Sequence, residues 1–128
     1  MIEWAAGIVD GEGCILAYET PKGCALRLTV RMVHRPTIER LARLFGGRAT
    51  RIKRSPPCRT VWQWMRSGQD AADVLRRIVP YMCTKYEEAH TLLTLATEQR
   101  VRGNRKAPRV WQRTHIRAMK RLKRREWK

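Results

Sequence analysis

The stretch Trp4-Ala5-Ala6-Gly7-Ile8-Val9-Asp10-Gly11-Glu12-Gly13-Cys14-Ile15 decides how the rest of the chain is read. Ile2 to Asp10 is a short apolar run with helical character, closed by Gly11 and Gly13. From Cys14 to Thr20 the period changes. Ile15 and Ala17 fall on one face, Leu16, Tyr18 and Thr20 on the other, which is the two-residue alternation of a strand. Ala6 and Asp10 lie four apart, as do Gly7 and Gly11, so small residues line one side of the helix and let a second helix backbone approach. Asp10 and Glu12 put two carboxylates where helix gives way to strand. The glycines around them let the backbone turn and let a phosphate come near.

Outward from this junction the alternation of periods continues. Pro21-Lys22-Gly23 is a turn. Cys24 to Val33 then sets Leu26, Leu28, Val30 and Met32 on an apolar face and Arg27, Thr29 and Arg31 on a polar one. Pro36 and Thr37 open a helix carrying Ile38, Leu41, Leu44 and Phe45, and Gly46-Gly47 stops it. Two strands follow, Arg48 to Arg54 and Arg59 to Arg66, linked by Ser55-Pro56-Pro57. In the first, Arg51 and Lys53 share a side opposite Thr50 and Ile52. In the second, Trp62 and Trp64 share a face that suits the core or a ligand equally. A helix with Ala71, Ala72, Val74, Leu75 and Ile78 ends near Pro80. Thr84 reads as the N-cap of the next helix, with Glu87 completing a capping box. The order is α-β-β-α-β-β-α-α. It predicts an α+β fold of αββαββα type, a four-stranded antiparallel sheet with helices on one face and the other face open.

The 128 residues carry 28 Lys plus Arg against 11 Asp plus Glu, a net charge of +17 and a pI near 11.2. Residues 101–128 hold 12 basic residues and one acidic. The composition divides the chain into a folded body, 1–102, and a basic helical extension, 103–128. In the extension Trp111, His115, Ala118, Met119 and Leu122 form a modest apolar stripe, which suits either a docked helix or a tail ordered on nucleic acid. This charge points to a polyanion. Arg27, Thr29, Arg31, Arg51, Lys53, Tyr18 and Thr20 are the candidates for a DNA-facing sheet, since a two-stranded ribbon enters a major groove and arginine donates to guanine O6 and N7. Membrane is not expected as a partner. No apolar run approaches a spanning length, and no secretory signal is read at the N-terminus, so a cytoplasmic, nucleoid-associated protein is expected, an organelle remaining open. Cys14, Cys24, Cys58 and Cys83 form no Cys-x-x-Cys pair, and His34, His90 and His115 show no zinc spacing.

Ala5 to Gly13, reading A-A-G-I-V-D-G-E-G, resembles the LAGLIDADG motif of homing endonucleases, with Glu12 at the second acidic position. Phe45-Gly46-Gly47, Ser67-Gly68 with Ala71-Ala72, Ile78-Val79-Pro80-Tyr81, and Lys85 with Ala89 resemble later blocks of that family. The resemblance spans residues 4 to 96. It implies a LAGLIDADG homing endonuclease-like fold and a site-specific double-stranded DNA endonuclease. Glu12 is then the metal ligand and a catalytic residue, binding Mg2+, for which Mn2+ can substitute. Lys85 is implied as a second catalytic residue near the scissile phosphate. One motif implies a homodimer, possessing a near-palindromic site, with Ala6, Gly7 and Asp10 at the helix–helix contact. Asp is commoner than Glu at the catalytic position, and Glu lengthens the ligand by one methylene. The alternative is a non-cleaving binder of the same fold, an RNA maturase or a DNA-binding regulator. No splicing residues at the chain ends suggest an intein, and the resemblance leaves an intron-encoded origin open.

Overall fold

The computed structural model describes residues 1–21, 23–53, 55–102 and 110–126, with side chains between 101–112 and beyond 122 left aside. Helix α1 (Ile2–Glu12) runs two residues past the limit the pattern suggests. The Gly13 N–H donates to the Val9 carbonyl and closes its last turn. A Cβ on Gly13 would lie 2.5 Å from that same oxygen. Only glycine therefore lets strand β1 (Gly13–Thr20) start on the residue after Glu12.

Strand β1 pairs with β2 (Gly23–Met32) across the predicted turn, and β2 pairs with β4 (Val61–Ser67). The three-residue β3 (Thr50–Ile52) pairs with β4, giving the antiparallel order β1-β2-β4-β3. Between them lie helices α2 (Arg35–Phe45) and α3 (Gly68–Ile78), then a 3-10 turn, Val79–Tyr81, and α4 (Tyr86–Arg102). The basic segment forms α5 (Val110–Glu126).

One face of the sheet meets the helices. Ile15, Leu26, Leu28, Val30 and Trp64 pack there against Ile38 and Leu41 of α2, Leu75 and Ile78 of α3, and Leu92 and Leu95 of α4. The indole of Trp64 is fully buried, and its Nε1–H donates to the Gly46 carbonyl at 2.9 Å. Gly46 and Gly47 take φ of +83° and +89°, and a Cβ on Gly47 would press on the Trp64 nitrogen at 3.3 Å. The Phe45-Gly46-Gly47 triplet thus ends α2 and seats Trp64 at once. Trp64 belongs to the core, and Trp62 lies half-buried on the same side under the Arg35 guanidinium at 4.4 Å.

Ile116 and Met119 bring α5 into this core, against α4 and the edge strand β1. Burying two such side chains is worth about 1.5–3 kcal/mol each, enough to hold the helix in place. The boundary assigned at residue 103 and the Trp111 side chain lie outside what is described. The four cysteines carry thiols, and burial, then the charge of Glu19, pushes the Cys24 thiol up to about 11. Among the described residues, no helix is long and apolar enough to cross a membrane.

Candidate nucleic-acid interface and its acidic centre

Register decides which side chains share the open face. Residues paired across antiparallel strands point to the same side. Cys14 pairs with Thr29 and Leu16 with Arg27, Thr29 with Met65, Arg31 with Gln63, and Gln63 with Thr50. Arg27, Thr29 and Arg31 therefore stand on the face away from the helices, with Tyr18 and Thr20 further along β1. Gln63 and Met65 join them. The signal for these two was the alternation in Trp62-Gln63-Trp64-Met65, which reads either way until one tryptophan is known to be core.

The same register corrects the position of Arg51. It pairs with Trp62, opposite the face of Arg27 and Arg31. The strand is only three residues long, so its own pattern fixes nothing and its partner sets the side. Lys53 follows β3 as an exposed residue outside the strand.

The side chains on the open face hold one another. The Arg31 Nε–H donates to Gln63 Oε1 at 2.6 Å. The Arg27 guanidinium lies 5.1 Å from the Tyr18 ring centre and reaches the Met65 sulfur at 3.9 Å. Thr29 is buried between them, 8% exposed. At the α1 end of this ribbon, Glu12, Cys14, Leu16, Arg27, Thr29 and Arg31 line a cavity of about 370 Å³. The carboxylate of Glu12 is exposed beside it.

Asp10 does different work. Its Oδ2 accepts the backbone N–H groups of Cys83 and Thr84 at 3.1 and 3.0 Å, and its Oδ1 accepts that of Lys85 at 2.8 Å. The Lys85 ammonium donates back to the Asp10 carbonyl at 2.7 Å, at the negative end of α1. Burial alone would raise the Asp10 carboxyl. The Lys85, Thr84 and Cys83 N–H groups and the Lys85 charge outweigh it, and the net shift is downward. In place of the expected Thr84–Glu87 capping box, a carboxylate from 75 residues away takes the Thr84 N–H and fixes the turn that leads into α4, which starts at Tyr86. It also ties Lys85 to the turn that carries Glu12.

Ala6 is fully buried in the chain's own core, beside Ala5 and Val9. This corrects its assignment to an exposed helix contact: its methyl is spent inside the fold. Gly7 and Gly11 lie on the exposed side of α1, where an added Cβ meets nothing within 4 Å.

This arrangement of helices and sheet superposes on solved structures. The homing endonuclease I-CvuI, in complex with the I-CreI target, superposes with a TM-score of 0.63 at 21% identity over 76% of this chain. The LAGLIDADG meganuclease I-AabMI bound to uncleaved DNA superposes at 0.69, with 12% identity over 94%. The chain has the LAGLIDADG homing endonuclease fold. I-SmaMI, a LAGLIDADG homing endonuclease bound to cleaved DNA, gives 0.68 and 14% over 94%. The chain spans 66% of I-CvuI but only 46% of I-AabMI and 42% of I-SmaMI. No protein-family model and no curated protein sequence matches it.

On the LAGLIDADG fold, Glu12 stands at the end of the motif helix. Among the described residues, no three His, Cys, Asp or Glu side chains converge on one point. At the end of α1, Glu12 offers a hard cation an exposed carboxylate, whereas that of Asp10 is held by the N–H groups of Cys83, Thr84 and Lys85. This donor set fits Mg2+, which keeps several waters and binds through one or two carboxylates plus phosphate oxygens.

Proposed function

We propose that the chain is a site-specific double-stranded DNA endonuclease acting as a homodimer. The carrying observation is that the exposed carboxylate of Glu12 opens on the same cavity as Arg27, Thr29 and Arg31. An acid at the head of a basic, hydrogen-bonding ribbon suits phosphodiester hydrolysis rather than binding alone. The solved structures of the same fold are described as homing endonucleases with DNA, one of them in the presence of Mg.

The open face lies in the major groove. Strands of eight to ten residues cover about 26–33 Å, or about eight to ten base steps. Arg27 and Arg31 read purine edges there, braced by Tyr18 and Gln63. Two α1 helices meet along Gly7 and Gly11, which bring two Glu12 carboxylates to the centre of a near-palindromic site. Glu12 from each subunit would hold Mg2+ with phosphate oxygens, and the bound ion supplies water activation and charge stabilisation at the leaving oxygen. Lys85 keeps two N–H donors beyond the one given to Asp10 and directs them at the charge developing on the phosphate.

The test is cleavage of a randomised duplex library, with and without Mg2+, by the wild type and Glu12→Gln. Mg2+-dependent double-strand breaks at a near-palindrome, lost in the variant while binding persists, are expected. Tight binding without cleavage by either protein, in Mg2+ or Mn2+, would overturn the enzyme and leave a DNA-binding regulator or an RNA maturase.

A further inference from the structure

Helix α5 carries charge that the sheet does not need. Its inner arc is Ile116 and Met119, 3% and 2% exposed. Its outer arc is Arg113, Arg117, Lys120 and Arg121, all exposed. Steps of three and four residues put these four on one stripe about 12 Å long. No acidic residue interrupts it between 113 and 122. Arg113 reaches Glu19 of β1 at 3.4 Å, with both side chains about half exposed, a contact worth under about 1 kcal/mol. Among the described residues, Arg117, Lys120 and Arg121 face no carboxylate. Such a stripe repels itself, and an anionic partner relieves it.

Its position suits one partner. The helix starts beside Glu19 at the hairpin end of the sheet and runs along the edge strand β1. By Leu122 it lines a cavity with Met82, Thr84 and Glu87 at the head of α4. The stripe therefore follows the flank of the ribbon, from its far end toward the acidic centre. An anionic membrane fits poorly, because the apolar arc is already buried in the protein and nothing remains to insert.

We propose that α5 is a clamp on the sugar–phosphate backbone of duplex DNA beside the stretch held by the sheet, adding affinity without reading sequence. It rests on the DNA-binding reading above. The four-residue stripe spans three to four base steps; Arg117, Lys120 and Arg121 occupy about 6 Å of it, and their three charges, on long side chains, neutralise up to about three phosphates. Each phosphate adds about 0.9 to the slope of log K against log salt, so the three contribute about 2.7 per bound protomer. That slope alone is about 40-fold in affinity between about 50 and 200 mM salt.

The experiment compares the wild type with R117Q/K120Q/R121Q on a labelled duplex of roughly 30 base pairs and arbitrary sequence, across that salt range. A control variant, R40Q/R43Q/R51Q, removes the same charge from exposed residues of α2 and of β3 that lie away from the open face. Circular dichroism checks that both variants remain folded. The α5 variant is expected to lose about 2.7 of slope per protomer and the control under about 1. Equal losses in both variants would reduce the effect to net charge and overturn the clamp, as would an unchanged slope in the α5 variant. A wild type that binds and cleaves DNA with α5 irrelevant sinks only this inference. A wild type that binds no duplex sinks both.

Discussion

Replacing Asp10 tests the link between the motif helix and α4. The carboxylate accepts three backbone N–H groups at 2.8, 3.0 and 3.1 Å. Hydrogen bonds to a charged group contribute about 1.5–3 kcal/mol each when buried. Asp10 is half-buried, so water takes over part of the loss, and Asp10→Ala is expected to cost about 2–3 kcal/mol in total. For a chain of this size that is a fall in Tm of roughly 8–12 °C. Asp10→Asn keeps one carbonyl oxygen but turns an NH2 donor toward the remaining N–H groups, and should lose about half as much. The pH dependence carries the sharper test. The folded-state pKa of Asp10 lies below its ordinary value, so its contribution is fully present above about pH 4, where the unfolded carboxyl titrates. It is lost as pH falls through the lower folded value. Thermal melts followed by circular dichroism from neutral to acid pH should show the gap between wild type and Asp10→Asn closing below about pH 4. A gap that stays constant through that range, or an Asp10→Ala protein as stable as wild type, would refute the clamp.

Four further outcomes follow from geometry already described. Gly13→Ala forces a Cβ to 2.5 Å from the Val9 carbonyl and should destabilise by more than about 2 kcal/mol in a urea titration. Gly7→Ala meets open space and should stabilise the isolated chain by about 0.5–1 kcal/mol, yet weaken self-association in sedimentation experiments if α1 forms the dimer contact. Arg31→Ala should cost about 1–3 kcal/mol in binding to the cleaved sequence, and Arg51→Ala, on the other face, under about 0.5 kcal/mol in the same assay. Trp64→Ala should lose about 3–5 kcal/mol of stability, since it empties the core and orphans the Gly46 carbonyl.

Most of the fold was legible because its signals are local. The alternation in Cys24 to Val33, the glycines after Phe45 and the apolar spacing after Gly68 each name an element without reference to the rest. What stayed hidden depends on partners distant in sequence. Thr84 and Glu87 make a plausible cap by spacing, but the Thr84 N–H that Glu87 would satisfy is given to Asp10. Arg51 looks like a neighbour of Arg31 until β4 fixes the register. Ala6 looks like an interface residue because smallness serves a core and a helix contact alike. Of the candidate site, Glu12 with Arg27, Thr29 and Arg31 was legible from motif and alternation, whereas the roles of Gln63 and Met65 waited on the burial of Trp64.

The pairing of Arg31 with Gln63, and of Arg27 with Tyr18 and Met65, bears on how the proposed DNA-reading surface would change its target. Its letters are not independent. A substitution at position 63 also releases Arg31 to a new rotamer, and one at position 18 or 65 frees Arg27, so single changes blur recognition before they redirect it. New targets are then reached through compensating pairs across strands. A library that randomises one position at a time would find few of them, while one that varies 31 with 63, or 27 with 18 and 65, searches along the couplings the sheet already contains.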